Sequence, residues 1–366
     1  MERSAWVHHA IKLIESDFNR SADTHLIKVS IPSCPEIDLY LKDESTHPTG
    51  SLKHRLARSL FLYHLCNGAV GPDTTVIEAS SGSTAVSEAY FARMLGLPFV
   101  AVIPRATSRE KVSQIEFQGG RCQSVEDPGG IYEVAAQLAR QTNGCYLDQF
   151  TYAERATDWR GNNNIAESIF HQLSRERFPN PAWVVVGAGT GGTSATIGRY
   201  LRYRALPGKL CVVDPEQSVF FDYFSSGDGT LVRKGASGIE GIGRPRVEPS
   251  FVASVIDRMI RVANADSIAA ARFLSRKLGR GCGGSTGTSL IGVIDLVAEM
   301  RVAGAQGSIV TLLCDGAERY RDSYFDDRWL QARGFDIQPT LDRLEAFWAN
   351  GVWSSHSPSA SSRMPS

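Results

Sequence analysis

The chain has 366 residues, and at about 150 residues per domain this length points to two domains or one large α/β unit. Its 39 basic and 39 acidic residues cancel, which speaks against a function resting on a strong basic field for nucleic acid or anionic lipid. Charged residues at 21% and apolar residues at 42% describe a globular chain, not a disordered one.

The opening residues, MERSAWVHHAIKLIES, carry charges throughout. They read as an amphipathic helix with Trp6, Val7, Ala10, Ile11 and Ile14 on one face, not as a secretion signal. His8 and His9 lack carboxylate or cysteine partners at ligand spacing and read as surface residues. Short apolar runs predict strands at 37–42, 75–79, 98–103, 183–188, 210–214 and 308–314. Helical patterns fall between them at 51–66, 84–95, 107–118, 129–142, 155–174, 191–204, 265–278 and 286–302. Apolar strands joined by helices predict parallel sheet covered on both faces. Asn162, Asn163 and Asn164 predict turn or capping chemistry. The run Arg199 to Arg204 interleaves basic and aromatic residues, but on a helix of a neutral chain it reads as a solvated face. Asp326 and Asp327 read as a solvated pair, and the Ser/Pro-rich end, 351–366, as a disordered tail.

No apolar run reaches the roughly 18 residues that a membrane span needs. The seven cysteines are scattered with no C-x-x-C spacing. They argue against a disulfide framework or a zinc site, and for a reducing cytoplasm in which each is a small buried hydrophobe.

Glycine, at 34 residues, exceeds the usual share of about 7%, and its placement matters. In Val186-Gly187-Ala188-Gly189-Thr190-Gly191-Gly192-Thr193 an apolar strand ends and a helix begins. Gly187, Gly189 and Gly192 fit G-x-G-x-x-G, with Asp214 farther on at the end of another apolar strand. On paper this is a dinucleotide fingerprint. The physics is less particular, because close backbone approach and a helix N-terminus suit any phosphate. Two features lie outside a dinucleotide reading. Pro48-Thr49-Gly50-Ser51-Leu52-Lys53 places a lysine in the first turn of a helix, and a desolvated lysine can form a Schiff base. Ser80-Ser81-Gly82-Ser83-Thr84 joins a strand to a helix, and its N–H groups and hydroxyls could cup a carboxylate.

With these segments the chain resembles the fold-type-II pyridoxal-phosphate enzymes of the cysteine synthase and cystathionine β-synthase family. It is most similar to the subgroup described as mycobacterial-type L-cysteine desulfhydrases. The resemblance runs from about residue 5 to residue 335. The family's P-T-G-S-x-K-D-R puts Lys53 at the Schiff-base position. Its T-S-G-N-T substrate loop corresponds to Ser80 to Thr84, and its G-T-G-G-T phosphate loop to Gly189, Thr190, Gly191, Gly192 and Thr193. Its Q-F element is Gln149-Phe150, its V-D-P-E segment Val213 to Glu216, its K-I-x-G-I-G loop Gly238 to Gly243, and its S-S-G-A loop Ser285 to Thr288. Three positions depart. The family asparagine that contacts the cofactor's phenolic oxygen is Ser83, the aspartate after the lysine is His54, and P-S-S-G-E-R-Y reads Cys314-Asp315-Gly316-Ala317-Glu318-Arg319-Tyr320. Gly316 stands where the family has the serine that faces the pyridine nitrogen. Asp315 is the alternative contact, and the preferred expectation is that it points elsewhere.

The resemblance implies an α/β fold of two domains, each a mostly parallel sheet flanked by helices, with the cofactor in the interdomain cleft. A large cofactor domain is expected from 1–50 and 165–340 and a small substrate domain from 51–164. It implies pyridoxal 5'-phosphate as cofactor, Lys53 as catalytic residue, Ser83, Asp315 and Gly316 beside the ring, and Ser80 to Thr84 with Gln149 as the substrate site. The implied reaction is β-elimination on L-cysteine to hydrogen sulfide, pyruvate and ammonia. The alternative is a cysteine or cystathionine synthase performing β-replacement on O-acetylserine or serine, and an NAD-dependent dehydrogenase remains as a remote reading. A cytoplasmic homodimer with no metal, nucleic acid or membrane partner is expected.

Overall fold

A computed structural model describes residues 2–20, 23–235 and 237–361. In chain order it contains α1 (Arg3–Asn19), β1 (Leu26–Val29), β2 (Ile37–Asp43), α2 (Lys53–Cys66), β3 (Val76–Glu78), α3 (Ser83–Met94), β4 (Phe99–Pro104), α4 (Arg109–Phe117), β5 (Arg121–Val125), α5 (Ile131–Gln141), β6 (Cys145–Tyr146) and α6 (Gln149–Ala156). There follow α7 (Ile165–Leu173), β7 (Trp183–Gly187), α8 (Gly192–Tyr203), β8 (Lys209–Pro215), α9 (Phe220–Ser226), β9 (Arg258–Val262), α10 (Asn264–Leu278), α11 (Gly284–Val302), β10 (Gly307–Leu313), α12 (Asp327–Ala332), α13 (Gln338–Asn350) and β11 (Ser359–Ser361).

The chain divides into two compact units, Met1–Asp23 with His47–Thr157, and Thr24–Thr46 with Asp158–Ser366. This corrects the expected boundaries of 1–50 and 165–340 against 51–164. Helix α1 belongs with the smaller unit because its apolar face packs into that unit's core. Ala10 and Ile14 are buried there with Leu60, Phe61 and Ala89, and Trp6, Val7 and Ile11 pack against the same cluster. The Tyr90 hydroxyl donates to the Asp17 carboxylate at 3.1 Å and fixes the helix further.

In the first unit the sheet order is β5-β4-β3-β6, all parallel. Parallel order brings the carboxyl ends of β3 and β6 side by side, where the loops leading to α3 and α6 begin. The second unit holds a seven-stranded sheet, order β1-β2-β10-β7-β8-β9-β11. Its inner strands are parallel, and antiparallel β1 and β11 close the two edges. Strand β10 is buried along its whole length, as a central strand covered on both faces must be. Helix α11 is buried over most of its surface, and Gly287 lets α10 come close: a Cβ there would stand 2.6 Å from Ala271 N.

Two expectations change. The helical pattern at 155–174 is broken after α6, because Asn162 and Asn163 adopt left-handed backbone (φ 61° and 49°). Asn164 then caps α7, its Oδ1 accepting from Ala166 N at 2.9 Å and Glu167 N at 3.1 Å; asparagine tolerates both tasks. Most of the segment expected to be a disordered tail is held in place. Trp353 Nε1 donates to Asp295 at 2.6 Å, Arg261 N donates to Pro358 O at 2.8 Å, and β11 pairs with β9. The remainder of that expected tail, 362–366, lies outside the described residues. Asp326 and Asp327 are a surface pair as expected, with Asp326 capping α12 and exposed Asp327 paired with Arg272.

Candidate functional site

In the first unit, α2 begins at Lys53, directly after a turn in which Gly50 has φ 72°. That left-handed residue lets the chain reverse into the helix. Beneath the turn, Thr49 Oγ1 lies 3.1 Å from His54 Nδ1 and 2.8 Å from Ser87 Oγ on α3. His54 is buried, stacked on His47 (5.0 Å between centroids) and against Phe91 (4.9 Å). The residue that replaces the family aspartate is therefore a structural part of the lysine turn.

The loop after β3 enters α3 at Ser83, with extended Gly82 before it and Gly82 N donating to Ser80 Oγ at 3.3 Å. Thr84 Oγ1 donates to Gln149 Oε1 at 2.9 Å, and both residues are buried. Gln149 opens α6, which Asp148 caps by accepting from Thr151 N. Thus Lys53, residues 80–84 and Gln149 are stitched together through Thr49–Ser87 and Thr84–Gln149, all within one unit.

Two residues that the sequence reading missed lie under this loop. Glu78 and Glu88 are both fully buried. Glu78 Oε1 accepts from Ala79 N at 2.8 Å and its Oε2 from Gln149 N at 3.2 Å. Burial pushes both carboxyls above the ordinary carboxylate range, on Glu78 against the opposing pull of those N–H bonds. The signal was present in the sequence: each is a charged residue inside an otherwise apolar stretch, VIEA and AVSEAYFA, where an ionised carboxylate is costly.

In the second unit the glycine loop leaves the carboxyl end of β7 and enters α8, with Gly191 in left-handed conformation (φ 91°) at the helix start. A Cβ on Gly191 would stand 2.5 Å from Ser250 O and 2.6 Å from Phe251 Cα, so only glycine fits. Thr190 is buried and its Oγ1 accepts from Gly192 N at 3.2 Å. The first turn of this helix has backbone N–H groups with no intrahelical carbonyl, and its dipole favours an anion. The loop at Gly238 to Gly243 lies against it, with Gly243 N donating to Ala188 O at 2.8 Å. Ser285 to Thr288 fall in the first turns of α11, where Thr288 Oγ1 donates to Ser267 Oγ at 2.9 Å.

Asp214 corrects the dinucleotide reading. It is fully buried, accepts from Phe221 N at 2.8 Å ahead of α9, and burial pushes it up to about 7. A carboxylate with no exposed surface is out of reach of a ribose hydroxyl. After β10, Asp315 is buried and its Oδ2 accepts from the Tyr320 hydroxyl at 2.6 Å, while a Cβ on Gly283 would collide with its Oδ1. Gly316 adjoins Glu318, whose carboxylate a Cβ would meet. Cys314 N donates to Thr286 Oγ1 at 3.1 Å. All seven cysteines are free thiols, four of them buried. Among the described residues no group of histidine, cysteine and carboxylates is placed to hold a metal, and no helix is long and apolar enough to cross a membrane.

Comparison with known proteins gives a consistent picture. The family profile described as "Pyridoxal-phosphate dependent enzyme" matches residues 20–315. The L-cysteine desulfhydrase Cds1 of Mycobacterium tuberculosis (strain ATCC 25177 / H37Ra) is 61% identical over 353 residues, covering 95% of this chain and 96% of that protein. The cystathionine beta-synthase of Apis mellifera is 29% identical, covering 93% of this chain and 67% of that protein. A crystal structure of a hydrogen sulfide-producing enzyme from Fusobacterium nucleatum superposes with a TM-score of 0.76 at 23% identity, covering 86% and 92% of the two chains. This last likeness is one of fold.

Proposed function

The chain belongs to the pyridoxal-phosphate dependent enzymes, and from that premise we propose that it is an L-cysteine desulfhydrase, releasing hydrogen sulfide, pyruvate and ammonia. The observation that carries the substrate is the 61% identity with the mycobacterial enzyme along nearly the whole of both chains.

The donor set fits the cofactor. A phosphate dianion is well served by a helix N-terminus rich in backbone N–H groups, with Gly189, Gly191 and Gly192 giving close approach and the Thr190 and Thr193 hydroxyls completing the cradle. Lys53 is the residue that would hold the cofactor through its ε-amino group. When bound, pyridoxal phosphate supplies the electron sink that makes the substrate's α-hydrogen acidic and lets the β-substituent leave.

The remaining work falls to this chain's own side chains. Ser80, Ser81, Gly82, Ser83 and Thr84 receive the substrate carboxylate at the start of α3, and Gln149, oriented by Thr84, is its second contact. Lys53 Nζ, once free, takes the α-proton as general base. Ser83 is the hydroxyl nearest in sequence to the family's ring contact. We assign Asp315 to holding Tyr320, with Gly316 making room for the Glu318 carboxylate, and not to the ring nitrogen. The protein is proposed to act in the cytoplasm as a homodimer; light scattering coupled to size exclusion should give twice 39.9 kDa.

The deciding experiment is incubation of the holoenzyme with L-cysteine alone. Equal amounts of sulfide and pyruvate are expected, with loss of both in Lys53→Ala. Turnover that requires a second substrate would favour β-replacement, the activity named for the Apis mellifera relative.

A further inference from the structure

We propose that Glu78 and Glu88 share one proton as a carboxylic acid–carboxylate pair that fixes the substrate-carboxylate site, and that loss of this proton weakens substrate binding at alkaline pH. The inference rests on the assignment of residues 80–84 and Gln149 to the substrate carboxylate. It makes the two glutamates positioning residues.

The argument begins with hydrogen bonds. Both oxygens of Glu78 accept backbone N–H groups, from Ala79 at the base of the substrate loop and from Gln149 at the head of α6. Among the described residues neither oxygen of Glu88, both buried, has a hydrogen-bond donor. What faces Glu88 is the carboxyl of Glu78, at side-chain hydrogen-bonding range. Two carboxylates cannot donate to each other, so the contact is a hydrogen bond only when one of them carries a proton.

Among the described residues, the groups that act most strongly on the pair carry no positive charge. From α2 comes His64, buried, its pKa lowered by burial, with Nε2 3.2 Å from Leu147 O. From β6 come Cys145, whose thiol burial raises to about 12, and Tyr146, raised by burial as well; both are neutral. From the cap of α6 comes Asp148, which adds negative charge. A fully buried pair of like charges without a cation keeps one proton.

The pair is coupled to the site by covalent neighbourhood. Glu88 lies one helical turn beyond Thr84, whose hydroxyl holds Gln149, and Glu78 precedes the loop and holds Gln149 through its backbone. When the proton leaves to solvent base, the carboxylates repel, and the strain falls on Ala79, Thr84 and Gln149 together. The added negative charge also opposes the incoming carboxylate.

Three measurements on the holoenzyme test this. Infrared spectroscopy should show a buried protonated carboxyl at pH 7 that is lost on going to alkaline pH, and lost at pH 7 when both are replaced in Glu78→Gln/Glu88→Gln. A band that is absent from the wild type, or that survives in the double variant, overturns the proposal. Backbone hydrogen exchange across 79–84, compared at pH 9, should be slower in Glu88→Gln, whose amide donates to Glu78 without titrating; equal rates count against the positioning role. KM for L-cysteine should rise between pH 7 and pH 9 about tenfold more in the wild type than in Glu88→Gln, with the kcat ratio constant. The substrate's own ionisations are common to both proteins, so superimposable KM profiles refute the link to binding. If L-cysteine yields no sulfide at any pH, the functional reading has failed, and the infrared and exchange arms still decide the pair.

Discussion

Thr84 and Gln149, 65 residues apart in the chain, meet in a buried hydrogen bond of 2.9 Å from the threonine hydroxyl to the amide oxygen. The bond exists because parallel pairing of β3 with β6 sets the starts of α3 and α6 side by side. It leaves the Gln149 amide nitrogen, a donor, available for an anion.

Thr84→Val removes the hydroxyl at nearly constant volume and releases the Gln149 side chain. A hydrogen bond of this kind contributes about 1 kcal/mol, so KM for L-cysteine should rise roughly five- to tenfold, with kcat affected less. Steady-state kinetics on sulfide release provide the check. An unchanged KM would remove Gln149 from the substrate site.

Gly191→Ala places a Cβ 2.5 Å from Ser250 O on a backbone with φ 91°. Strain of this kind costs about 1–3 kcal/mol, and the loop must shift to relieve it. Lower Tm and faster loss of bound cofactor on dialysis are expected together. Gly82→Ala, where no atom lies within 4 Å of the new Cβ, should leave Tm nearly unchanged.

Tyr320→Phe takes away the hydroxyl that donates to buried Asp315 at 2.6 Å. Losing a donor to a buried acceptor costs about 1–3 kcal/mol, which lowers Tm by roughly 1–4 °C in a protein of this size. Asp315→Ala should also lower Tm while the absorbance of the bound cofactor stays as it is. A changed spectrum in Asp315→Ala would place that carboxylate at the ring.

Burial, and then the charge of facing Glu78, hold Glu88 well above the ordinary carboxylate range when folded. The folded protein therefore binds more protons than the unfolded chain above the ordinary carboxylate range, and this contribution to stability falls as pH climbs toward the raised folded value. Glu88→Gln removes one of the two acids. Its Tm relative to the wild type should increase between pH 6 and pH 9, as scanning calorimetry can record; a gap that narrows would mean both glutamates ionise without penalty.

Much of this protein is legible from its sequence. The apolar runs at 37–42, 98–103, 183–188, 210–214 and 308–314 are strands in the structure, because a strand covered on both faces must be continuously apolar. The alternating helices, the glycine loop at the head of α8 and the lysine at the head of α2 follow from local chemistry, and the family follows from their order. What stayed hidden depends on neighbours distant in the chain. Strand β6 has two residues and β5 lies at a sheet edge with polar side chains, so neither carries an apolar pattern. Helix α1 joins the smaller unit through packing that periodicity does not specify, and β11 is a strand only because β9 offers it an edge. Asp214 fits a nucleotide motif by spacing, yet its burial under α9 excludes that use. The sequence by itself determined the elements, the family and the loops that carry the chemistry, since these rest on local propensity and glycine geometry. The tertiary structure alone decided which charges are buried against each other, because the cost of a carboxylate such as Glu78 depends on the solvent and partners it has lost on folding.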